Sequence, residues 1–191
     1  MTKTRDKLEE ATYFLEQMKG VQSQFGTQQP DYVTQRSYFR YNLNAFLSAF
    51  RSITDGVIEA EYKNARDSAG HPFQPWFKRE ERQLLTNNDF AFLVRARNVT
   101  SHEEPLMPRA HFNVRIVEVG AVGPTPAPPN YKPSVQYFFQ DFDMTKGPRR
   151  KRGKAAIALP KAPQQDVVTS CEAELNRLKT FVVSCESIFT I

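Results

Sequence analysis

A chain of 191 residues with 40% hydrophobic residues and 15 phenylalanines has the mass of about one domain and can bury a real core, which excludes a disordered tail or a minimal scaffold. Its 26 basic and 21 acidic residues leave a net charge of +5, modestly basic and compatible with a polyanionic partner. The N-terminal Met1-Thr2-Lys3-Thr4-Arg5 has no apolar leader core and no run is long enough to span a membrane, so a cytoplasmic protein without membrane contact is expected.

Residues 3–22 read as a helix, because Leu8, Ala11, Leu15 and Met18 repeat at spacings of three and four. Gly26 to Pro30 is a break. Pro30 and Asp31 then open a long second helix running to about Asp67. Its stripe is Phe39, Leu43, Phe46, Phe50, Ile53 and Val57, widened by Leu47 and Ile58, a face broad enough for two neighbours in a bundle. Asp67 to Pro75 is a turn region containing His71, read as structural. A third helix is expected over 76–86, with Trp76, Phe77, Leu84 and Leu85 apolar. Asn87-Asn88-Asp89 is a helix-restart signal, since each side chain can cap orphan backbone N–H groups. Residues 89–102 form a fourth helical segment with Phe90, Leu93 and Val94 buried; whether it continues the third is left open by the pattern.

Beyond Pro105 and Pro108 the periodicity changes. Phe112, Val114 and Ile116 alternate with Asn113, Arg115 and Val117, which reads as a strand just after His111. Gly123 to Pro129 is a stiff Pro-rich linker. Val135 to Phe142 and Ala155 to Leu159 read as two more strands, forming a hairpin whose tip is the basic run Arg149, Arg150, Lys151 and Arg152. That run either solvates a hairpin tip or grips a nucleic-acid backbone without regard to sequence. Tyr137 and Phe139 share one strand face and Phe138 the other, with core burial the expected use and base stacking the alternative. The final helix spans 166–190. Its stripe, Val167, Cys171, Leu175, Leu178, Val182, Cys185 and Phe189, suits a bundle or dimer seam.

The fold expected is mainly α: a helical bundle from 1–109 and 161–191, with a small antiparallel β insertion at 110–160 before the last helix. Cys171 and Cys185 lie about 21 Å apart along one helix and cannot pair, so both read as buried small hydrophobes. The three histidines lack metal-ligand spacing, and neither metal nor cofactor is expected.

The segment most suggestive of chemistry is Arg97-Asn98-x-x-x-His102, at the end of the fourth helical segment. A guanidinium grips phosphate oxygens in a fork and stays charged, while an imidazole trades protons near neutral pH. Arg95 adds a second cation, either phosphate-facing or solvated. In a regular helix, positions 97 and 102 lie about 140° apart around the axis. Either the helix unwinds before His102, with Pro105 disfavouring helical geometry at Glu104, or a second copy of the chain completes the site.

This segment resembles the active-site motif of the HEPN superfamily (higher eukaryotes and prokaryotes nucleotide-binding domains), whose signature is Arg-x(4–6)-His, often with a polar residue after the Arg. Tyr41 to Phe50 is similar to that family's long core helix and the final helix to its closing one. The resemblance covers about 30–104 and 165–190 and leaves the β insertion unassigned. It implies a HEPN-like helical bundle that dimerises so that two motif copies meet in one cleft, and a metal-independent endoribonuclease, as in toxin or defence systems. On that basis His102 is the general acid/base on the ribose 2′-hydroxyl and Arg97 stabilises the scissile phosphate. Asn98 positions substrate or orients the His, and the products carry a cyclic phosphate and a free 5′-hydroxyl; Arg95 is the further candidate for positioning substrate. Some toxin members carry a Tyr two residues after the His that a partner enzyme modifies. Here that position is Glu104, so this regulation is not implied. The acidic Glu103-Glu104 pair favours an imidazolium but opposes an RNA phosphate. The alternatives are a non-catalytic HEPN-like dimer that binds nucleotide, RNA or a protein such as an antitoxin, and a structural helical protein. In the last, His102 merely complements a helix C-terminus and Arg97 makes a surface ion pair.

Overall fold

The computed structural model of the protein describes residues 2–24, 32–102, 108–113, 134–139 and 160–189, with backbone alone at 32, 97–102, 109–113 and 134. It is mainly helical. Helix α1 spans Lys3–Ser23 and buries Leu8, Ala11, Leu15 and Met18, the four residues of its predicted stripe, together with Thr4. Its N-terminus is capped twice. The Thr2 hydroxyl accepts from Arg5 N at 3.3 Å. Glu61, far along the chain, accepts from Lys3 N at 2.9 Å, Thr4 N at 3.2 Å and Thr4 Oγ1 at 2.5 Å. Its carboxylate therefore meets the donors and the positive dipole end that a helix start exposes.

The long second helix is interrupted. Helix α2 covers Tyr32–Ser52, a wide π-type turn follows over Ile53–Val57, and α3 covers Ile58–Tyr62. In the turn Ile58 N–H reaches back five residues to the Ile53 carbonyl, and Gly56 sits at φ 143°, ψ −16°. Such a φ is open to glycine and strained for other residues. The expectation of one helix to about Asp67 is thus corrected, and the chain leaves helical geometry after Tyr62. The turn between Arg66 and Pro72 is organised by Asp67, whose Oδ1 accepts from Ala69 N at 2.9 Å and His71 N at 2.7 Å, while Oδ2 lies 2.9 Å from His71 Nδ1. His71 therefore has the structural place read for it.

Helix α4 spans Phe73–Leu84, starting three residues before the predicted start at 76. Pro75 falls in its first turn, where a missing N–H costs nothing. Leu85 lies past its end and is exposed, so the predicted apolar role of that residue is not met. Helix α5 spans Asn88–His102 as a separate helix. Asn87 Oδ1 accepts from Phe90 N at 2.9 Å, the restart cap read from the sequence. Asn88 next to it pins the chain entering the last helix: its Nδ2 donates to Lys161 O at 2.9 Å and its Oδ1 accepts from Lys161 N at 3.0 Å.

Strands β1 (Arg109–Asn113) and β2 (Ser134–Phe138) pair antiparallel, with Arg109 opposite Phe138 and Asn113 opposite Ser134. Among the described residues the partner of β2 is the preceding strand. The third strand expected at 155–159 and the hairpin it would close lie outside the described residues, as does the Pro-rich linker. Val135, Tyr137 and Phe139 are buried, so the alternation read for this strand puts them on the core face.

Helix α6 spans Val167–Ile188 and is capped by Asp166, which accepts from Val168 N and Thr169 N. All seven residues of its predicted stripe are buried within the chain. Cys171 and Cys185 are free, as expected. Helices α1 and α6 run antiparallel, tied near one end by Arg5 to Glu186 (2.8 and 2.6 Å) and near the other by Lys19 to Glu172 (2.7 Å). Helix α4 lies along α6 through Trp76 stacked on Phe181 and Phe73 edge-on to Phe189. Helix α5 lies against α2 through Phe50 and Phe90, whose rings are 5.1 Å apart. Strand β2 joins these last two: Tyr137 stacks on Phe39 of α2 at 3.8 Å, and Phe139 meets Phe92 of α5 at 5.1 Å. Among the described residues no helix is long and apolar enough to cross a membrane.

Candidate functional site

The predicted site residues sit at the C-terminal end of α5, whose position the sequence sets through four buried residues: Phe90, Phe92, Leu93 and Ala96. Val94 is only partly buried, less than expected. The backbone stays helical through His102. Unwinding before the histidine, one of the two routes to a common face, is therefore not taken. Positions 97 and 102 stay about 140° apart around the axis. Arg95 is half-buried and already engaged within the protein. Pro105, Glu103 and Glu104, and the basic run Arg149, Arg150, Lys151 and Arg152, fall outside the described residues.

One cation near this helix was not singled out in the sequence. Arg51, at the end of α2, donates from Nη1 to the Val94 carbonyl at 3.0 Å and pairs with Asp55 through Nε. Its charge is thus held against α5 one turn before Arg97. The only hint in the sequence was a basic residue directly after Phe50 in the apolar stripe. Arg51 also lines a cleft of about 600 Å³ with Lys3, Ser52, Asp55, Gly56 and Glu61. The polar groups of that cleft are largely committed: Asp55 to Arg51, and Glu61 to the α1 N-terminus.

The two thiols offer no nucleophile. Burial pushes Cys185 up to about 12 and Cys171 well above its ordinary value, so both stay protonated at neutral pH. Among the described residues no group of three or more His, Cys, Asp or Glu is placed to hold a metal ion.

A second cluster was also missed. Arg36, Arg40 and Asn44 follow at four-residue spacing along α2, half-buried from inside the apolar stripe, between Leu43 and Leu47, to its edge. Arg36 Nε and Asn44 Oδ1 are shielded from solvent with no hydrogen-bond partner among the described residues. The Arg40 guanidinium lies 5.1 Å from the Tyr41 ring centroid. The signal in the sequence was the absence of any acidic residue between Tyr32 and Thr54.

No protein-family model matches this chain, and no curated protein and no solved structure is significantly similar to it.

Proposed function

We propose that the protein is a metal-independent endoribonuclease of HEPN type that works as a homodimer. The observation that carries this reading is the unbroken α5 backbone through His102. It keeps the Arg97 and His102 positions on different faces of one helix, so a second copy is the natural source of the complementary group at one phosphate. The α6 stripe is consumed inside the protomer. In this reading the dimer seam lies on the α5 side of the bundle.

In this reading His102 removes the proton from a ribose 2′-hydroxyl. The resulting oxygen attacks the adjacent phosphorus and expels the 5′-oxygen, which takes up a proton, leaving a 2′,3′-cyclic phosphate and a free 5′-hydroxyl. Arg97 holds the phosphate oxygens and stabilises their developing charge. Asn98 orients the substrate, while Arg95 is already engaged within the protein. A role as a toxin or defence component, held by an antitoxin, fits such a ribonuclease.

The test is cleavage of an end-labelled single-stranded RNA in EDTA by the wild type and by His102→Ala. Cutting by the wild type, cyclic phosphate ends and a loss of about 100-fold or more in the variant are expected. Equal cutting by both proteins, or none by a folded dimer across several RNAs, would overturn it.

A further inference from the structure

We infer that two copies of the chain meet through the outer face of α2, packed antiparallel about a two-fold axis beside Tyr41, with Tyr38 of each copy over Ala45 of the other. The inference rests on the homodimer proposed above and names the face that builds it.

Three observations converge. First, this face carries no charge. Thr34, Ser37, Tyr38, Tyr41, Ala45 and Ser48 fall within about 100° of one another around α2, opposite its buried stripe, and Arg36, Arg40 and Arg51 lie outside that arc. From Val33 on, the exposed residues of α2 are Val33, Thr34, Tyr38 and Tyr41. Helices α1, α4 and α6 instead expose charges, such as Glu9, Lys78 and Glu172. A two-fold axis sets a patch against itself, so a charge near the axis meets its own like. A hydroxyl both donates and accepts, so Tyr, Ser and Thr answer their own copies. This face therefore suits a second copy and offers no ion-pair partner to a nucleic acid or a charged peptide. Second, large side chains gather here. Tyr38 and Tyr41 are 58% and 59% exposed and three residues apart, hence neighbours on the helix surface. With Val33 they make up half of the six exposed large hydrophobic residues among those described. Single exposed hydrophobics are ordinary, whereas tyrosines paired on one rigid helix have the composition of a protein interface. Third, the face complements itself in shape. An axis between positions 41 and 42 sets position 38 of one antiparallel helix level with position 45 of the other. Each bulky Tyr38 then meets a small Ala45, with the two Tyr41 side chains at the centre, and Ser37 and Ser48 are small enough to let the helices approach. Helix α5 packs on the flank of α2 through Phe90 with Phe50 and the Val94 carbonyl with Arg51, so a seam through α2 lies beside the motif helix.

The experiment is analytical ultracentrifugation of the full chain over a concentration series, for the wild type and for Tyr38→Glu with Tyr41→Glu. The wild type is expected as a dimer. The double variant should dimerise about 100-fold more weakly or worse, because four carboxylates would crowd one seam. Both side chains stand in solvent within the protomer, and circular dichroism verifies that the variant folds. Tyr41→Cys gives an independent readout. Under mild oxidation it should cross-link two copies, since Cys171 and Cys185 are buried, whereas Tyr13→Cys on the exposed side of α1 should not. A dimer that persists in the folded double variant, or a Tyr41→Cys protein that cross-links no better than Tyr13→Cys, overturns the inference. A wild type that is monomeric at every concentration leaves the face to a different protein and overturns the inference together with the homodimer. A wild-type dimer that needs Tyr38 and Tyr41 but cuts no RNA upholds the face and overturns the ribonuclease reading alone.

Discussion

The cations of α1 and those of α2 sit in opposite settings. Arg5 and Lys19 on α1 each reach a carboxylate on α6, Glu186 and Glu172, and so clamp two antiparallel helices at both ends. Arg36 and Arg40 on α2 lie in a helix without a single acidic residue. The first pair serves the bundle. The second is half-buried beside the apolar stripe of its own helix. Basic composition alone does not separate the two; their burial and their place on the helix do.

The largest stability effect is expected on the structural side. Glu61→Ala removes a carboxylate that takes two backbone N–H bonds and a hydroxyl at the start of α1. It should cost about 2 kcal/mol in a denaturant melt without loosening the dimer. A loss of dimers in a folded Glu61→Ala protein would break the division between the two helices. Next comes Gly56→Ala at the end of α2. Nothing lies within 4 Å of the added Cβ, so the cost is the strained φ alone, about 1 kcal/mol. The matched control is Gly20→Ala in α1. It also meets no neighbour but keeps helical geometry, so a gain of about 0.5 kcal/mol is expected.

A pH-dependent effect sharpens the comparison further. Glu174 is buried on α6, and burial raises its carboxyl above the ordinary range, although Arg177 Nε donates to it at 3.0 Å and pulls the other way. The folded state therefore favours the neutral acid. Its contribution is fully present below the unfolded-state value near 4.5 and is lost as pH rises through the folded value. Glu174→Gln should raise the melting temperature at neutral pH, with the gain vanishing as pH falls below that range. The smallest effect is expected for Lys19→Ala. It removes two partly exposed ion pairs, to Glu16 and Glu172, together worth about 0.3 kcal/mol and weakened by salt.

The sequence made the α6 stripe legible because seven apolar residues at steps of three and four leave one solution, and all seven are buried. The Asn87 cap was legible for a similar reason, since its partner is three residues away. The π-type turn was not. Gly56 permits a positive φ but does not demand one, and the apolar stripe runs on through Ile53 and Val57. The Glu61 cap was hidden by a separation of more than fifty residues from the α1 start. Strand β2 was read correctly as core-facing, but its pairing with β1 was not foreseen, because alternation reports faces and carries no information on pairing. At the candidate site the sequence supplied the motif, and the structure added the unbroken helix beneath it and the Arg51 contact one turn before. Arg36 and Arg40 were overlooked because each, read singly, is an ordinary surface arginine. Only the missing acids and their half-burial make the group distinctive.

That two copies of α5 build one catalytic site is tested most directly by mixing two inactive variants. Arg97→Ala and His102→Ala proteins, each unable to cut RNA alone, are allowed to exchange subunits and are then assayed in EDTA. A mixed dimer would pair the intact His102 of one copy with the intact Arg97 of the other at one of its two sites. The mixture should recover about a quarter of the wild-type rate. No recovery, with subunit exchange verified, would contradict a site shared between copies.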